Sequence, residues 1–508
     1  MSDSEGLGAR RPSLAANTIA QSAPVLITYL AGLASAPIVL ASLGLRAFGI
    51  WALTGALAQY GGLLNLGIGQ ALARFVAVYD AAGDRRALGQ TLALGLLSVP
   101  AVAVPLAAAS WFAAAPLAHA LHGIGVGAMR DVLLSSVTMV ACALLTGALS
   151  AYPVGLRRMI RPNAALSVGA LLNLIFSVVA ALSSTRLVVY ALANAAASVL
   201  TVAVVAVAVL SLEPRMQLRR PTRALAREIL GFSLKDQLVV VSNLVNFQTD
   251  KIVIALFVGP AAAGAYELAN RVAAAARLAG LYGTSALLPT VAAELVKTTR
   301  EVLVAGYIRL TARVATITTP LLVLTIALSP IVLHAWLGVS PRYGPLVLAA
   351  LSVAYIVNST TAVGYAYLNA TGHPGLSARA NVAAAAANIA LTVVLGELFG
   401  IRGILAGTVI ALTAGAVYQV LLTHRLFTIP LRSYCTAIAP SLLLAVGLGA
   451  PATAVAELAH PLARGEQAAV CVAITACYAL VYLAAAGYRD LLPRSLSSRL
   501  PLIRDRLT

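Results

Sequence analysis

Fourteen apolar stretches, each long enough to cross a bilayer, follow one another from residue 15 to residue 487. A crossing helix needs ~20 apolar residues, and lipid supplies no partner for an open backbone N–H or C=O, so such stretches become helices. They fall at about 15–43, 47–73, 88–112, 130–154, 164–184, 187–212, 232–258, 263–292, 304–333, 345–369, 377–398, 402–423, 433–454 and 467–487. Only 10% of the residues are charged and 60% are hydrophobic, whereas a soluble protein carries about a quarter charged residues. The expected fold class is all-α, a polytopic membrane protein with about 14 transmembrane helices.

Loop charge predicts the orientation. A net charge of +18 would point to nucleic acid in a soluble protein. Here the cations collect on one side: Arg10, Arg11, Arg85, Arg86, Arg157, Arg158, Arg161, the run from Arg215 to Lys235, Lys297, Arg300, Arg425, Arg432 and the tail from Arg489 to Arg506. The other side carries only Arg46, Arg186, Arg342, Arg402 and Arg464. Cytoplasmic loops carry the excess of Lys and Arg, so both termini are expected in the cytoplasm of a multi-pass protein of the cell (inner or plasma) membrane. The number of spans is then even. Membrane lipids, not nucleic acid, are the expected partners of these loops. Arg10 and Arg11 precede an apolar run too long for a cleavable signal and read as the flank of a first helix. Cys142, Cys435, Cys471 and Cys477 lie in apolar stretches without metal-ligand spacing and read as core residues; no cofactor is expected.

The chain repeats itself. Gly44 and Gly259 stand 215 positions apart, and the same offset relates Gly49 to Gly264, Trp51 to Tyr266, Arg85 to Arg300, Tyr152 to Tyr367 and Asn173 to Asn388. An offset held over five helices marks an internal repeat. Six helices separate the copies, so both enter the membrane in the same sense, as a parallel repeat. The expected organisation is a six-helix lobe at 1–212, a basic cytoplasmic linker at 213–230, a second six-helix lobe at 231–425, and two extra helices with a basic tail at 426–508. Two such lobes with facing polar surfaces predict an alternating-access transporter.

Between Ser233 and Arg277 the apolar rule is broken by Asp250, Lys251, Glu267, Arg271 and Arg277. Ionisable groups at membrane depth are expensive and face protein or a water-filled cavity. On one helix, Asp236, Asn243, Asn246 and Asp250 fall on one face; after the break at Gly259-Pro260, Glu267, Asn270, Arg271 and Arg277 form a second stripe. The two stripes predict one wall of a pathway; a salt-bridge network that only fixes packing is the alternative. On the first helix, Asn17, Gln21, Thr28 and Ser35 extend the polar wall.

The segment LGLRAFGIWALTGALAQYGGLLNLGIGQALARFVAVYDAAGDRR resembles the first hairpin of Wzx-type polysaccharide flippases, in the superfamily that also holds lipid II flippases and MATE antiporters. DKIVIALFVGPAAAGAYELANRV is similar to the opening of that family's second half. The resemblance implies two lobes in a V, with the first, second, seventh and eighth helices lining the cavity between them. It implies a lipid-linked oligosaccharide as substrate, and a polysaccharide polymerase or glycosyltransferases as neighbours in cell-surface polysaccharide synthesis. A polyprenyl diphosphate needs cations at mid-depth to replace its hydration, and Arg pairs bidentately with phosphate without losing its proton. Arg74, Arg271, Arg277 and Lys251 are the candidates. Asp250 is the preferred ion-coupling carboxylate, with Glu267 second; Asn17, Gln21, Asn243, Asn246 and Asn270 are the polar lining, and Tyr29, Tyr60, Tyr266, Tyr355 and Tyr367 are possible sugar contacts.

Three other readings compete. An ion-coupled antiporter of the MATE kind favours an acidic cavity and twelve spans. A polymerase or ligase needs catalytic groups in a large outer loop, and the outer loops at about 113–129, 334–344 and 455–466 are short and poor in acids. A non-transporting scaffold would keep the fold without using its polar residues.

Overall fold

The computed structural model describes residues 14–63, 68–156, 158–212, 217–285 and 300–488. These residues form fifteen α-helices and no strand. The first half runs α1 (Leu14–Gly62), α2 (Ile68–Ala81), α3 (Arg85–Leu121), α4 (Val126–Gly155), α5 (Ile160–Ser183) and α6 (Leu187–Leu210). The second half runs α7 (Arg223–Phe257), α8 (Pro260–Ser285), α9 (Arg300–Ala327), α10 (Ser329–Leu337), α11 (Gly344–Thr360), α12 (Ala362–Ala370) and α13 (Pro374–Phe427). Two further helices follow, α14 (Leu431–Leu458) and α15 (Arg464–Tyr488).

Ten helical stretches are long and apolar enough to cross a membrane. Two of them, α1 and α13, each contain two crossings. Gly44 (φ 75°) breaks the first and Gly400 (φ 59°) the second, both in conformations that a side chain would strain. Past Gly400 the chain doubles back closely: a Cβ on Gly407 would lie 2.8 Å from Thr392 N, and one on Gly415 would lie 2.4 Å from the Ala384 Cβ. Small residues permit that approach of two helices. The more polar α7 and α8 bring the crossings to fourteen.

Helices α1, α3, α4, α5 and α6 pack on one another as one lobe. Helices α7, α8, α9, α11 and α13 pack as the other, and α14 and α15 attach to it through α9 and α10. The lobes meet where α1 lies against α7 and α8.

The 215-residue repeat is visible in backbone geometry. Gly44 and Gly259 (φ 122°) both turn their hairpins in the positive-φ region. At the same end, a Cβ on Gly49 would meet the Pro260 carbonyl, and one on Gly264 would meet the Leu45 carbonyl. These two contacts exchange under the repeat. Gly123 and Gly338 are also related by the offset and both have positive φ, but their guanidinium caps, Arg46 and Arg464 respectively, come from positions that are not equivalent under the repeat. Arg46 donates to the carbonyls of Leu121 and His122 at 3.0 and 2.6 Å; Arg464 donates to those of Ala335 and Trp336 at 3.3 and 2.9 Å.

Several predicted spans are divided. The span expected at 47–73 is described as α1 up to Gly62 and α2 from Ile68, and residues 64–67 lie outside the described residues. The span at 304–333 breaks at Leu328, ahead of Pro330 in the first turn of α10. Helix α7 starts at Arg223, where Thr222 Oγ1 accepts from Leu225 N at 3.3 Å, so part of the expected linker is helical. The described residues before it contact α3: Gln90 Nε2 donates to the Arg220 carbonyl at 3.0 Å. His334 and His424 stand in the last turns of α10 and α13. Asn388 pairs within its own helix, accepting from Thr392 Oγ1 at 2.9 Å. Lys297 and the tail from Arg489 lie outside the described residues.

Candidate functional site

Helices α7 and α8 flank Gly259 as a hairpin, so residues equally far from that glycine lie at one depth. Lys251 and Glu267 are each eight residues away, ~12 Å into the membrane at 1.5 Å per residue. They form an ion pair at 2.5 Å. Arg271, one turn beyond Glu267, donates from Nε to Glu267 Oε1 at 3.0 Å. Its Nη1 donates to the Gly32 carbonyl of α1 at 3.0 Å, and the guanidinium carbon lies 5.3 Å from the centre of the Phe48 ring. Gly32 and Arg271 are each twelve residues from their turning glycines, ~18 Å in, near the middle of a ~30 Å hydrocarbon core. One carboxylate thus serves two cations, and the second cation links the lobes.

This network lines a cavity of about 470 Å³ between the lobes. The first lobe contributes Thr28, Tyr29, Ser35, Trp51 and Gln59 from α1, with Asn173, Ser177, Tyr190 and Asn194 from α5 and α6. The second contributes Gln248, Lys251, Glu267, Asn270 and Arg271. A second cavity of about 540 Å³ continues between α1 and α7 and is lined by Gln237, Asn243 and Phe247. Polar bonds close the seam beside it. Gln248 Nε2 donates to Gln59 Oε1 at 3.2 Å, the hydroxyls of Tyr60 and Thr249 meet at 2.5 Å, and Gln237 Nε2 donates to the Leu63 carbonyl at 2.7 Å.

Of the expected site residues, Lys251, Glu267, Asn270 and Arg271 are brought together here, with Thr28 and Ser35. Asp250 is not on the cavity wall. It is fully buried in the second lobe, where its Oδ2 accepts from Tyr266 at 2.7 Å and from Thr408 at 2.9 Å while Oδ1 has no hydrogen-bond partner among the described residues. Adjacent residues on a helix point ~100° apart, which separates Asp250 from Lys251. The stripe from Asn243 to Asp250 therefore divides: Asn243 is exposed to the second cavity, whereas Asn246 is buried. Arg277 sits nearer the opposite end of α8, donating to Asn358 Oδ1 at 3.1 Å between the rings of Phe247 and Tyr355. Arg74 is exposed on α2, away from the central cavity. The side chains of Asn17, Gln21 and Asp236 lie outside the described residues. Among the tyrosines, Tyr29 lines the cavity, whereas Tyr266, Tyr355 and Tyr367 are buried in the core. Sequence reasoning missed Trp51, Ser177, Tyr190 and Asn194 as lining residues. Nothing marks them in an apolar run, because their exposure to the cavity depends on how α5 and α6 rotate against α1.

The architecture is shared with solved transporters. The inward closed conformation of the lipid II flippase MurJ matches with a TM-score of 0.71 at 13% identity, covering 93% of this chain and 99% of that one. An inward-facing multidrug resistance MATE family transporter of the MOP superfamily matches at 0.66 and 15% identity, covering 81% and 98%. A MOP superfamily transporter from Pyrococcus furiosus, whose binding pocket has reversed polarity, matches at 0.52 and 14% identity, covering 84% and 99%. The MurJ match leaves too little unmatched to omit both α14 and α15. None of the curated proteins matches the sequence. Residues 14–293 match the family model described as polysaccharide biosynthesis protein, which is more than half of the chain. The chain therefore belongs to the polysaccharide biosynthesis protein family, on the fold of the MOP superfamily transporters.

Proposed function

We propose that the protein is a flippase that carries a polyprenyl-diphosphate-linked oligosaccharide from the cytoplasmic to the outer leaflet by alternating access. The observation that carries this reading is the sign of charge in the cavity. Lys251 and Arg271 face it with Glu267 as the one carboxylate among the described lining residues, so the wall is net cationic at mid-membrane depth. A diphosphate entering there exchanges its hydration for Arg and Lys, and competes with Glu267 for them. A MATE-like antiporter of cations would use a free carboxylate on the wall, whereas Glu267 is already paired twice. The excess of Lys and Arg in one set of loops supports cytoplasmic termini, and with that orientation the Gly49–Gly264 contact lies at the outer end. In this frame the lobes are closed outward. Arg277, further inward, is the first cation that the headgroup meets, and Asp250 is the carboxylate that takes the driving ion.

The test is transport in proteoliposomes of a fluorescent polyprenyl-diphosphate oligosaccharide, read by an outside hydrolase. Native chain should transport, and Arg271→Ala and Arg277→Ala, confirmed folded, should fall at least tenfold, the loss of about one charged hydrogen bond. Absence of transport by the native chain, together with cation efflux, would establish the antiporter reading instead.

A further inference from the structure

The cavity has a different chemistry on each side. Every described residue that brings a full charge to it, Lys251, Glu267 and Arg271, comes from the second lobe. The first lobe brings amides, hydroxyls and aromatic rings. We propose that this first-lobe wall reads the sugar joined to the diphosphate, with Trp51 as the surface against which its ring lies and Asn173 as the amide that meets its hydroxyls. The inference rests on the flippase reading above.

Three observations converge on these residues. Asn194 is committed to protein partners at both ends of its amide: its Nδ2 donates to the Tyr190 carbonyl at 2.8 Å, and its Oδ1 accepts from Ser177 at 2.9 Å. The Tyr190 ring packs against Trp51 in a T-shaped pair, with ring centroids 5.4 Å apart at 81°. A backed indole keeps one orientation, which lets it act as a platform at low entropic cost. Asn173, one turn before Ser177 on α5, is half-buried on the cavity wall and has no hydrogen bond to a described residue.

The repeat shows why that amide is left open. In the second lobe the hydroxyl of Thr392 occupies its counterpart, Asn388. Ser177 stands at the position equivalent to Thr392, yet turns to Asn194 instead. Asn173 is thereby left with both donor and acceptor toward the cavity. A pyranose presents an apolar C–H face and a rim of hydroxyls, and an indole beside an uncommitted amide matches both. The volume of about 470 Å³ lies within the ~300–1,000 Å³ range of small-molecule sites.

Two labelled probes test the assignment in proteoliposomes: a short polyprenyl diphosphate, and the same lipid carrying one N-acetylhexosamine. The quantity read is the ratio of their transport rates. Native protein should favour the glycosylated probe. Trp51→Ala should lower the ratio by about tenfold, the scale of a lost ring contact, and Trp51→Phe should recover most of it. Asn173→Ala, which removes an amide with no described protein partner, should lower the ratio without lowering the melting temperature. The inference is overturned if both alanine variants keep the native ratio, or if they slow the two probes equally. Failure of the native chain to move either probe would instead sink the flippase reading, and this one with it.

Discussion

A methyl group at Gly49 should hold the lobes apart. Its Cβ would lie 1.7 Å from the Pro260 carbonyl oxygen and 2.9 Å from Gly264 N, where ordinary contact begins at 3.4 Å. Both obstacles are backbone, so no rotamer change relieves them. The equivalent group on Gly264 meets the Leu45 carbonyl at 2.5 Å and should do the same more weakly. Overpacking of this kind costs ~1–3 kcal/mol, which shifts a two-state equilibrium ~5–150-fold. Packed interfaces respond by switching rather than by bending, so the population closed at this end should drop. Spin labels on the exposed Arg186 and Arg402, which flank the turns of the two lobes at that end, report the separation by pulsed electron resonance. Gly49→Ala should lengthen and broaden the distance distribution, Gly264→Ala less so, with transport slowed in the same order. If Gly49→Ala kept the native distribution and the native rate, the reading of this contact as the closure between lobes would be wrong.

Two further perturbations address single groups. Arg464→Ala should lower the melting temperature by about 1–3 °C, since it frees the carbonyls of Ala335 and Trp336 at a solvent-facing helix end; Arg46→Ala should match it through Leu121 and His122. A thermal scan of both variants checks this, and a loss in one alone would contradict the like roles of the two caps. Asp250→Asn keeps an oxygen for Tyr266 and Thr408 to donate to, so it should fold normally. If Asp250 takes the driving ion, that variant should transport at one rate whether or not a proton or sodium gradient is imposed. A persistent gradient dependence would remove Asp250 from the coupling.

The number of crossings was legible in the sequence because lipid allows the backbone only one local solution, and ~20 apolar residues announce it. The repeat was legible for a related reason: Gly44 and Gly259 are needed for positive φ, and Gly49 and Gly264 for close approach, so side-chain chemistry could not drift there. The side chains of the site were harder. The spacing from Asn243 to Asp250 correctly describes one helix face. That face meets Tyr266 and Thr408 at one depth and a cavity at another, which periodicity within α7 does not encode. Trp51 and Tyr190 were hidden for the same reason, since both are ordinary residues of apolar runs until a partner helix leaves them uncovered.

The repeat also separates what the charges do for folding from what they do for function. Under the 215-residue offset, Asp250 corresponds to Ser35, Lys251 to Ala36, Glu267 to Ala52, Arg271 to Ala56 and Arg277 to Gly62. The first lobe builds the same hairpin, turned by Gly44 and closed by Gly49, with no ionised group at any of these places. A salt-bridge network required for packing would have been required twice. Buried ion pairs are moreover poor stabilisers: removing one partner costs ~3–5 kcal/mol, while replacing the whole group is often neutral. The triple variant Lys251→Ala, Glu267→Ala, Arg271→Ala restores the pattern that the first lobe already has. It should fold and melt within a few degrees of the native protein, whereas Lys251→Ala alone, which leaves Arg271 as the single partner of Glu267, should be less stable than the triple variant. Transport by the triple variant should fall to background. A triple variant that unfolds would return the network to a structural role, and one that transports at the native rate would remove these cations from substrate binding.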